Sequence, residues 1–252
     1  MLSGKKSLFL AGHNGLVGSA LLRALEKKKD IKIITKNRQD LDLTVQRDVE
    51  LFFKNNKPDF VYNAASKVGG INANNNYKAD FLYQNLMIQN NIIHSSFKFG
   101  VKKLLFIGSA CIYPRNSKQP IKEESLLSNF LEPTNESYAI AKISGVKMCQ
   151  SYYEQYGANF ISIIPNNLYG PNDNFNLETS HVLPALIRKI HEAKISNKKN
   201  VEIWGTGLPL REFMHVDDLA DACIYVMENI DAEEIYGAGI SHLNVGSGEE
   251  IS

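Results

Sequence analysis

Unbroken apolar runs recur along the chain at SLFLAG (7–12), IKIIT (31–35), DFVYNAA (59–65), KKLLFIGS (102–109) and NFISIIPN (159–166). A strand covered on both faces needs apolar side chains on both, so consecutive runs, as opposed to alternating ones, predict interior strands of a parallel sheet. Between them, LVGSALLRALEKKK and DFLYQNLMIQNNIIHSSFKFG carry apolar residues at spacings of three and four, with Gly100 where a helix would stop. Strand, helix and strand alternating through residues 1–166 predict an α/β domain, a doubly wound parallel sheet with helices on both faces.

After Pro165 the pattern loosens into NNLYGPNDNFNLETS, a loop composition that often covers a ligand at a sheet edge. Residues 167–252 are therefore expected to form a second, smaller lobe. Its elements are a helix at SHVLPALIRKIHEAK, a short strand at VEIWG, a turn at TGLP and a helix at VDDLADACIYVMENI that packs back on the first domain. The chain closes on HLNVGSGEEIS, where a glycine turn and polar residues would open another helix, so this lobe is expected to lack a carboxyl-terminal part.

Composition narrows the function classes. A chain of 252 residues can bury a large core without staples. Lysine plus arginine number 28 against 27 aspartates and glutamates, and a net charge of +1 provides no footprint for nucleic acid or an anionic membrane, though a small anionic ligand remains compatible. Cys111, Cys149 and Cys223 are far apart with no C-x-x-C spacing, which predicts neither disulfides nor a metal site and fits a reducing cytoplasm. No apolar run approaches the roughly 20 residues that span a bilayer. The amino-terminal run passes into a glycine turn instead of a cleavage site.

That turn is the first candidate for chemistry. FLAGHNGLVGSAL sets Gly12, Gly15 and Gly18 between a strand and a helix, where a dinucleotide pyrophosphate meets backbone N–H groups and a helix amino terminus. The segment Gly12, His13, Asn14, Gly15, Leu16, Val17 and Gly18 would line it. The second strand leads into TKNRQDLDL, with Lys36 and Arg38 where an acid would hold a ribose hydroxyl; cations there suit the 2′-phosphate of NADP, although two solvated surface cations would look the same. In YAIAK, Tyr138 and Lys142 share one helix face, and an ammonium beside a phenol would lower the phenol's pKa for proton exchange with a carbonyl. The pattern alone is common on exposed helices. Ser109, at the carboxyl end of the fourth strand, joins the pair in the ligand crevice of such a sheet. Cys111 beside it is, on the residues alone, either a small buried hydrophobe or a proton carrier.

The glycine triplet, Ser109, Tyr138 and Lys142 together resemble the extended, nucleotide-sugar branch of the short-chain dehydrogenase/reductase superfamily, a Rossmann-type fold. Longer blocks, AGHNGLVGSA, AASKVGGI, LLFIGSACIYP, LEPTNESYAIAK, NLYGPNDNF, EIWGTGLPLREFMHVDDLA and HLNVGSG, are similar to its GDP-L-fucose synthase family over nearly the whole chain. The resemblance implies 3,5-epimerisation and NADPH-dependent C4 reduction of GDP-4-keto-6-deoxy-D-mannose. It implies that Cys111 and His181 exchange protons at C3 and C5, that Ser109 and Tyr138 hold the ketone oxygen, and that Lys142 binds the cofactor ribose. It extends the cofactor site to Ile107, Gly108, Ser109, Ala110, Pro165, Asn166, Asn167, Leu168 and His181, and it places Lys189, Trp204 and Arg211 at the GDP moiety. Read without it, His181 is a helix-start residue and a lone tryptophan is usually core. Asn14 stands where the family often has arginine, which leaves NADP preference to Lys36 and Arg38. A homodimer through a four-helix interface is implied as well. Two other readings remain: a C4-reductase of another GDP-4-keto sugar such as a 6-deoxyheptose, and a non-catalytic NADP-binding regulator, which would need neither Ser109, Tyr138 nor Lys142.

Overall fold

The computed structural model describes residues 5–252. The chain begins with β1 (Lys6–Ala11), α1 (Leu16–Leu25), β2 (Ile31–Ile34), α2 (Gln46–Asn56) and β3 (Phe60–Asn63). It continues through α3 (Ile71–Asn76), α4 (Lys78–Lys98), β4 (Lys103–Ile107), α5 (Glu136–Tyr156), β5 (Phe160–Pro165) and β6 (Asn167–Tyr169). It ends with α6 (Val182–Ile195), β7 (Arg211–His215), α7 (Val216–Asn229), α8 (Ala232–Gly237), β8 (Leu243–Val245) and β9 (Glu250–Ile251).

The main sheet has six strands in the order β2-β1-β3-β4-β5-β8, all paired in parallel. It is a Rossmann-type doubly wound sheet. The chain reverses direction of travel between β1 and β3, and that switch point opens a crevice at the strands' carboxyl ends. A smaller mixed sheet, β6-β7-β9, lies beyond it.

The five apolar runs became strands because alternate side chains enter two separate cores. Leu8, Leu10, Tyr62, Leu105 and Ile163 pack with α1 and α7, through Leu21, Leu219 and Cys223. Phe9, Val61, Leu104 and Phe106 pack on the opposite face with Phe53, Ile92, Val146 and Cys149 of α2, α4 and α5. The ring of Phe9 stands 5.7 Å from Phe53 edge-on. Emptying such a fully buried aromatic site costs about 3–5 kcal/mol.

Two expectations are corrected. VEIWG forms no strand: no backbone pairing reaches residues 201–205 among the described residues, and a lone apolar run needs a neighbouring strand to take its hydrogen bonds. HLNVGSGEEIS opens no helix. Leu243–Val245 is the sixth strand of the main sheet, and Glu250–Ile251 pairs antiparallel with Arg211 and Glu212. The turn between them is organised by the Glu212 carboxylate, which accepts from the Gly248 N–H at 2.7 Å. α2 buries Val49, Phe52 and Phe53, which recur at helical spacing.

Candidate active site

The glycine turn, Ser109 and Cys111 follow the carboxyl ends of β1 and β4, whereas Lys36 and Arg38 follow β2 and His181, Lys189, Trp204 and Arg211 lie on or around α6 and β7. At the end of β1, Gly12 adopts φ +83°, a conformation that favours glycine, and a Cβ there would lie 2.7 Å from the Ala65 backbone. The turn closes through Gly15 N–H to the Gly12 carbonyl at 3.1 Å. At Gly18 a Cβ would stand 2.0 Å from the Gly12 carbonyl oxygen, so only glycine lets the first turn of α1 approach the loop this closely. No acidic residue occupies that first turn. Unscreened N–H groups at the start of a ten-residue helix favour an anion. Asn14 Nδ2 donates to Asn37 Oδ1 at 2.9 Å, tying the turn to the end of β2 beside the exposed Lys36 and Arg38.

Two carboxamides sit at the ends of β3 and β5, the strands on either side of β4. Asn63 ends β3, is 1% exposed, and finds no partner within the protein for either amide atom. Asn166 follows β5 and its amide atoms are likewise without a protein partner. Buried amides are costly unless hydrogen-bonded. The glycine cradle and these amides fit a polar dinucleotide along the crevice. Asn63 was missed in the sequence reading; its signal is a polar residue closing an otherwise apolar strand. Asn167 is engaged elsewhere, donating to the Glu212 carbonyl at 3.0 Å, while Leu168 packs against the core and Pro165 ends β5.

β4 delivers the central groups. Gly108 N–H donates to the Ile163 carbonyl at 2.8 Å, and a Cβ there would strike Ile164. The chain then turns through Ser109 into a 3₁₀ turn, Ala110–Ile112, with Cys111 in its middle. On α5, Lys142 is buried and its ammonium donates to the Ile107 carbonyl at 2.8 Å, 5.8 Å from the Tyr138 ring centroid. Burial lowers the Lys142 pKa to about 8. It raises that of Tyr138 above the ordinary phenol value, against a smaller downward pull from Ser66 and Ser109. The expected depression of the phenol by the ammonium is therefore absent: the ammonium is turned to the Ile107 carbonyl, and desolvation raises the phenol. Burial also pushes the Cys111 thiol up to about 11, with Ser109 the first of the groups opposing it. Ser109 and Cys111 stand on the turn just beyond Ile107, whose carbonyl is bonded to Lys142 of the helix that carries Tyr138.

Ser66 and Asn85 were not anticipated. Asn85 Nδ2 donates to the carbonyls of Lys67 and Phe81, at 3.0 and 2.8 Å, so its Oδ1 must accept. Ser66 donates to that Oδ1 at 2.7 Å. Phe81 packs edge-on to the Tyr138 ring at 6.1 Å. A cavity of about 320 Å³ lies alongside, lined by Phe81, Lys67, Asp80, Asn174 and Thr179.

His181 caps α6 with extended backbone. The protein around its ring pushes its pKa below the ordinary value, and the Asp173 carboxylate opposes this. The preceding loop is docked by the glycine pair before α3: Gly70 N–H donates to the Thr179 carbonyl at 2.8 Å, and a Cβ on Gly70 would lie 2.3 Å from the Ser180 carbonyl oxygen. Further along α6, Lys189 Nζ sits 5.0 Å over the Trp204 ring and donates to the Glu202 carbonyl. Trp204 is 74% exposed, so it is no core residue. Arg211, exposed at the start of β7, donates to the Leu210 carbonyl and is not bonded to the Lys189–Trp204 pair.

Residues 8–246 match the model of the NAD dependent epimerase/dehydratase family. The chain is 56% identical over 245 residues to GDP-L-fucose synthase 1 of Arabidopsis thaliana, covering 97% of this chain and 74% of that protein. It is 53% identical over 252 residues to GDP-L-fucose synthase of Escherichia coli (strain K12), covering 98% and 78%. Among solved structures, CJ1428, a GDP-D-glycero-L-gluco-heptose synthase from Campylobacter jejuni determined in the presence of NADPH, superposes with a TM-score of 0.93 at 43% identity, covering 100% of this chain and 83% of that one.

Proposed function

Because the chain belongs to the NAD dependent epimerase/dehydratase family and, within it, to the GDP-L-fucose synthases, we propose that it converts GDP-4-keto-6-deoxy-D-mannose to GDP-L-fucose, by epimerisation at C3 and C5 and NADPH-dependent reduction at C4. The observation that carries this reading is the Lys142–Ile107 bond, which sets the Tyr138 helix against the end of β4, where Ser109 and Cys111 follow.

Ser109 and Tyr138 bind the ketone oxygen, and stabilising negative charge there acidifies the C–H bonds on either side. Inversion requires a proton to leave one face of the ring and another to arrive on the opposite face. With its pKa near 11, Cys111 rests as a thiol, and His181, with its pKa depressed, rests as a neutral imidazole. One group carries a proton and the other can take one, the complement an inversion needs. When bound, NADPH supplies the hydride for C4. Tyr138 gives its proton to the C4 oxygen, and its raised pKa keeps it in the protonated form that step requires. Lys142 is held by Ile107 with its remaining donors free for the cofactor ribose, while Lys36 and Arg38 serve the 2′-phosphate. The exposed face of Trp204, with Lys189 over it and Arg211 nearby in sequence, offers stacking for guanine and cations for the diphosphate.

Reduction of another GDP-4-keto sugar, such as a 6-deoxyheptose, is the second reading, favoured by the fit to CJ1428. Higher identity to the fucose synthases supports the first. Incubating the protein in D₂O with GDP-4-keto-6-deoxymannose and NADPH separates them. Deuterium at C3 and C5 together with NADPH oxidation is expected; oxidation without deuterium would leave a reductase only.

The protein is further read as a cytoplasmic homodimer. Its three cysteines are free, which suits a reducing compartment, and no helix of the described residues is long and apolar enough to cross a membrane. Helices α4 and α5 expose Tyr83, Ile140 and Tyr156, apolar surface suited to pairing with the same helices of a second copy. Sedimentation on dilution tests this.

A further inference from the structure

Tyr113 closes the turn that carries Cys111. The Ile112 N–H donates to the Ser109 carbonyl at 3.1 Å, and the Tyr113 N–H to the Ala110 carbonyl at 3.3 Å. The Tyr113 side chain is 6% exposed and runs to β8, where its hydroxyl lies 2.6 Å from His242 Nε2 and 2.5 Å from Asn244 Oδ1. His242 is fully buried, and its Nδ1 lies 2.9 Å from Ser241 Oγ. Neither residue has a place in the reaction described above.

The protons in this cluster can be placed. Asn244 Nδ2 donates to the Ile121 carbonyl at 3.1 Å, which turns its Oδ1 toward Tyr113 as an acceptor. The Tyr113 hydroxyl has one proton and gives it to that Oδ1, so toward His242 it can only accept. His242 therefore carries its proton on Nε2, and its bare Nδ1 accepts from Ser241. Burial keeps this imidazole neutral, with a pKa of about 4. Outside the cluster, the Asn244 N–H is anchored on the Glu123 carboxylate at 3.0 Å. Each polar group is satisfied by one specific neighbour, so loss of any member leaves a buried donor or acceptor unpaired and the turn free to shift.

We propose that Tyr113 and His242 are positioning residues for proton exchange, holding the 3₁₀ turn so that Cys111 meets the sugar carbons at working distance. The inference rests on the reading of Cys111 as a proton-exchanging group. Displacing a reacting group by about an ångström costs on the order of 100-fold in rate, so a tether of the turn matters even though it touches no substrate.

The test measures deuterium entry at C3 and C5 of GDP-4-keto-6-deoxymannose in D₂O with NADP⁺-loaded protein, a state that cannot reduce the ketone. Tyr113→Phe and His242→Leu should slow entry by roughly 10- to 100-fold while NADPH titration matches the wild type. His242→Gln, whose amide donor can take the place of Nε2–H, should recover most of the rate. Wild-type exchange in Tyr113→Phe overturns the proposal, as does loss of NADPH binding in proportion or a Gln variant no better than Leu. If the wild-type protein itself takes up no deuterium, the role of Cys111 fails first and the tether with it.

Discussion

The Lys142 ammonium donates to the Ile107 carbonyl at 2.8 Å and not to Tyr138, whose ring it only overlooks from 5.8 Å. The lysine thus fastens α5 to the end of β4, between the helix that bears Tyr138 and the strand that leads into Ser109. Its charge is held in the interior at a cost, and that cost is measurable.

Burial lowers the Lys142 pKa from 10.5 to about 8. Between those values the unfolded chain binds the proton and the folded protein does not, so stability rises with pH across that window. The wild type should gain about 3 kcal/mol relative to Lys142→Met from pH 8 to 10.5, at about 1.36 kcal/mol per pKa unit. Denaturant unfolding of both proteins over this range checks it, and the difference cancels the titration of buried tyrosines and cysteines. A flat difference would mean that the ammonium is better solvated than its burial implies.

Tyr138→Phe keeps the ring against Phe81 and removes only the hydroxyl. Turnover should fall by about 10²- to 10⁴-fold, the usual contribution of a general acid, with NADPH affinity nearly unchanged. Steady-state NADPH oxidation beside a fluorescence titration of the cofactor provides both numbers.

Cys111 is the reactive candidate among three thiols, since Cys149 and Cys223 are 0% exposed. Iodoacetamide should label Cys111 alone in the folded protein, at a rate that climbs toward a midpoint near pH 11. Peptide mass mapping identifies the site. Cys111→Ser should slow deuterium entry at C3 and C5 before it affects hydride transfer.

Gly18→Ala forces a Cβ to within 2.0 Å of the Gly12 carbonyl oxygen, so the helix or the loop must move. Overpacking of this kind costs about 1–3 kcal/mol. NADPH affinity should drop at least about tenfold, since a shift worth 1.4 kcal/mol already has that effect. Calorimetric titration with NADPH measures it.

Much of the fold was legible because burial on both faces writes itself into a strand as consecutive apolar residues, as in β4 and β5. VEIWG reads the same way and is no strand, because a strand is defined by its neighbour and none reaches it. The glycine triplet and the Tyr138–Lys142 spacing were visible for a related reason: a tight turn and a helix face are local properties of the backbone, repeated at fixed intervals. Contacts between distant segments have no such period. Asn85 and Ser66 lie 19 residues apart, Tyr113 and His242 lie 129 apart, and nothing in either stretch announces the other. The sequence by itself determined the interior strands and the anion-ready turn, and it offered Ser109, Tyr138 and Lys142 as candidates while Asn63, Ser66 and Asn85 stayed hidden in it. Tertiary structure alone decided which atom each of them faces and how far each is withdrawn from water, and desolvation, which depends on everything packed around a group, is what sets the protonation of Cys111, Tyr138 and Lys142.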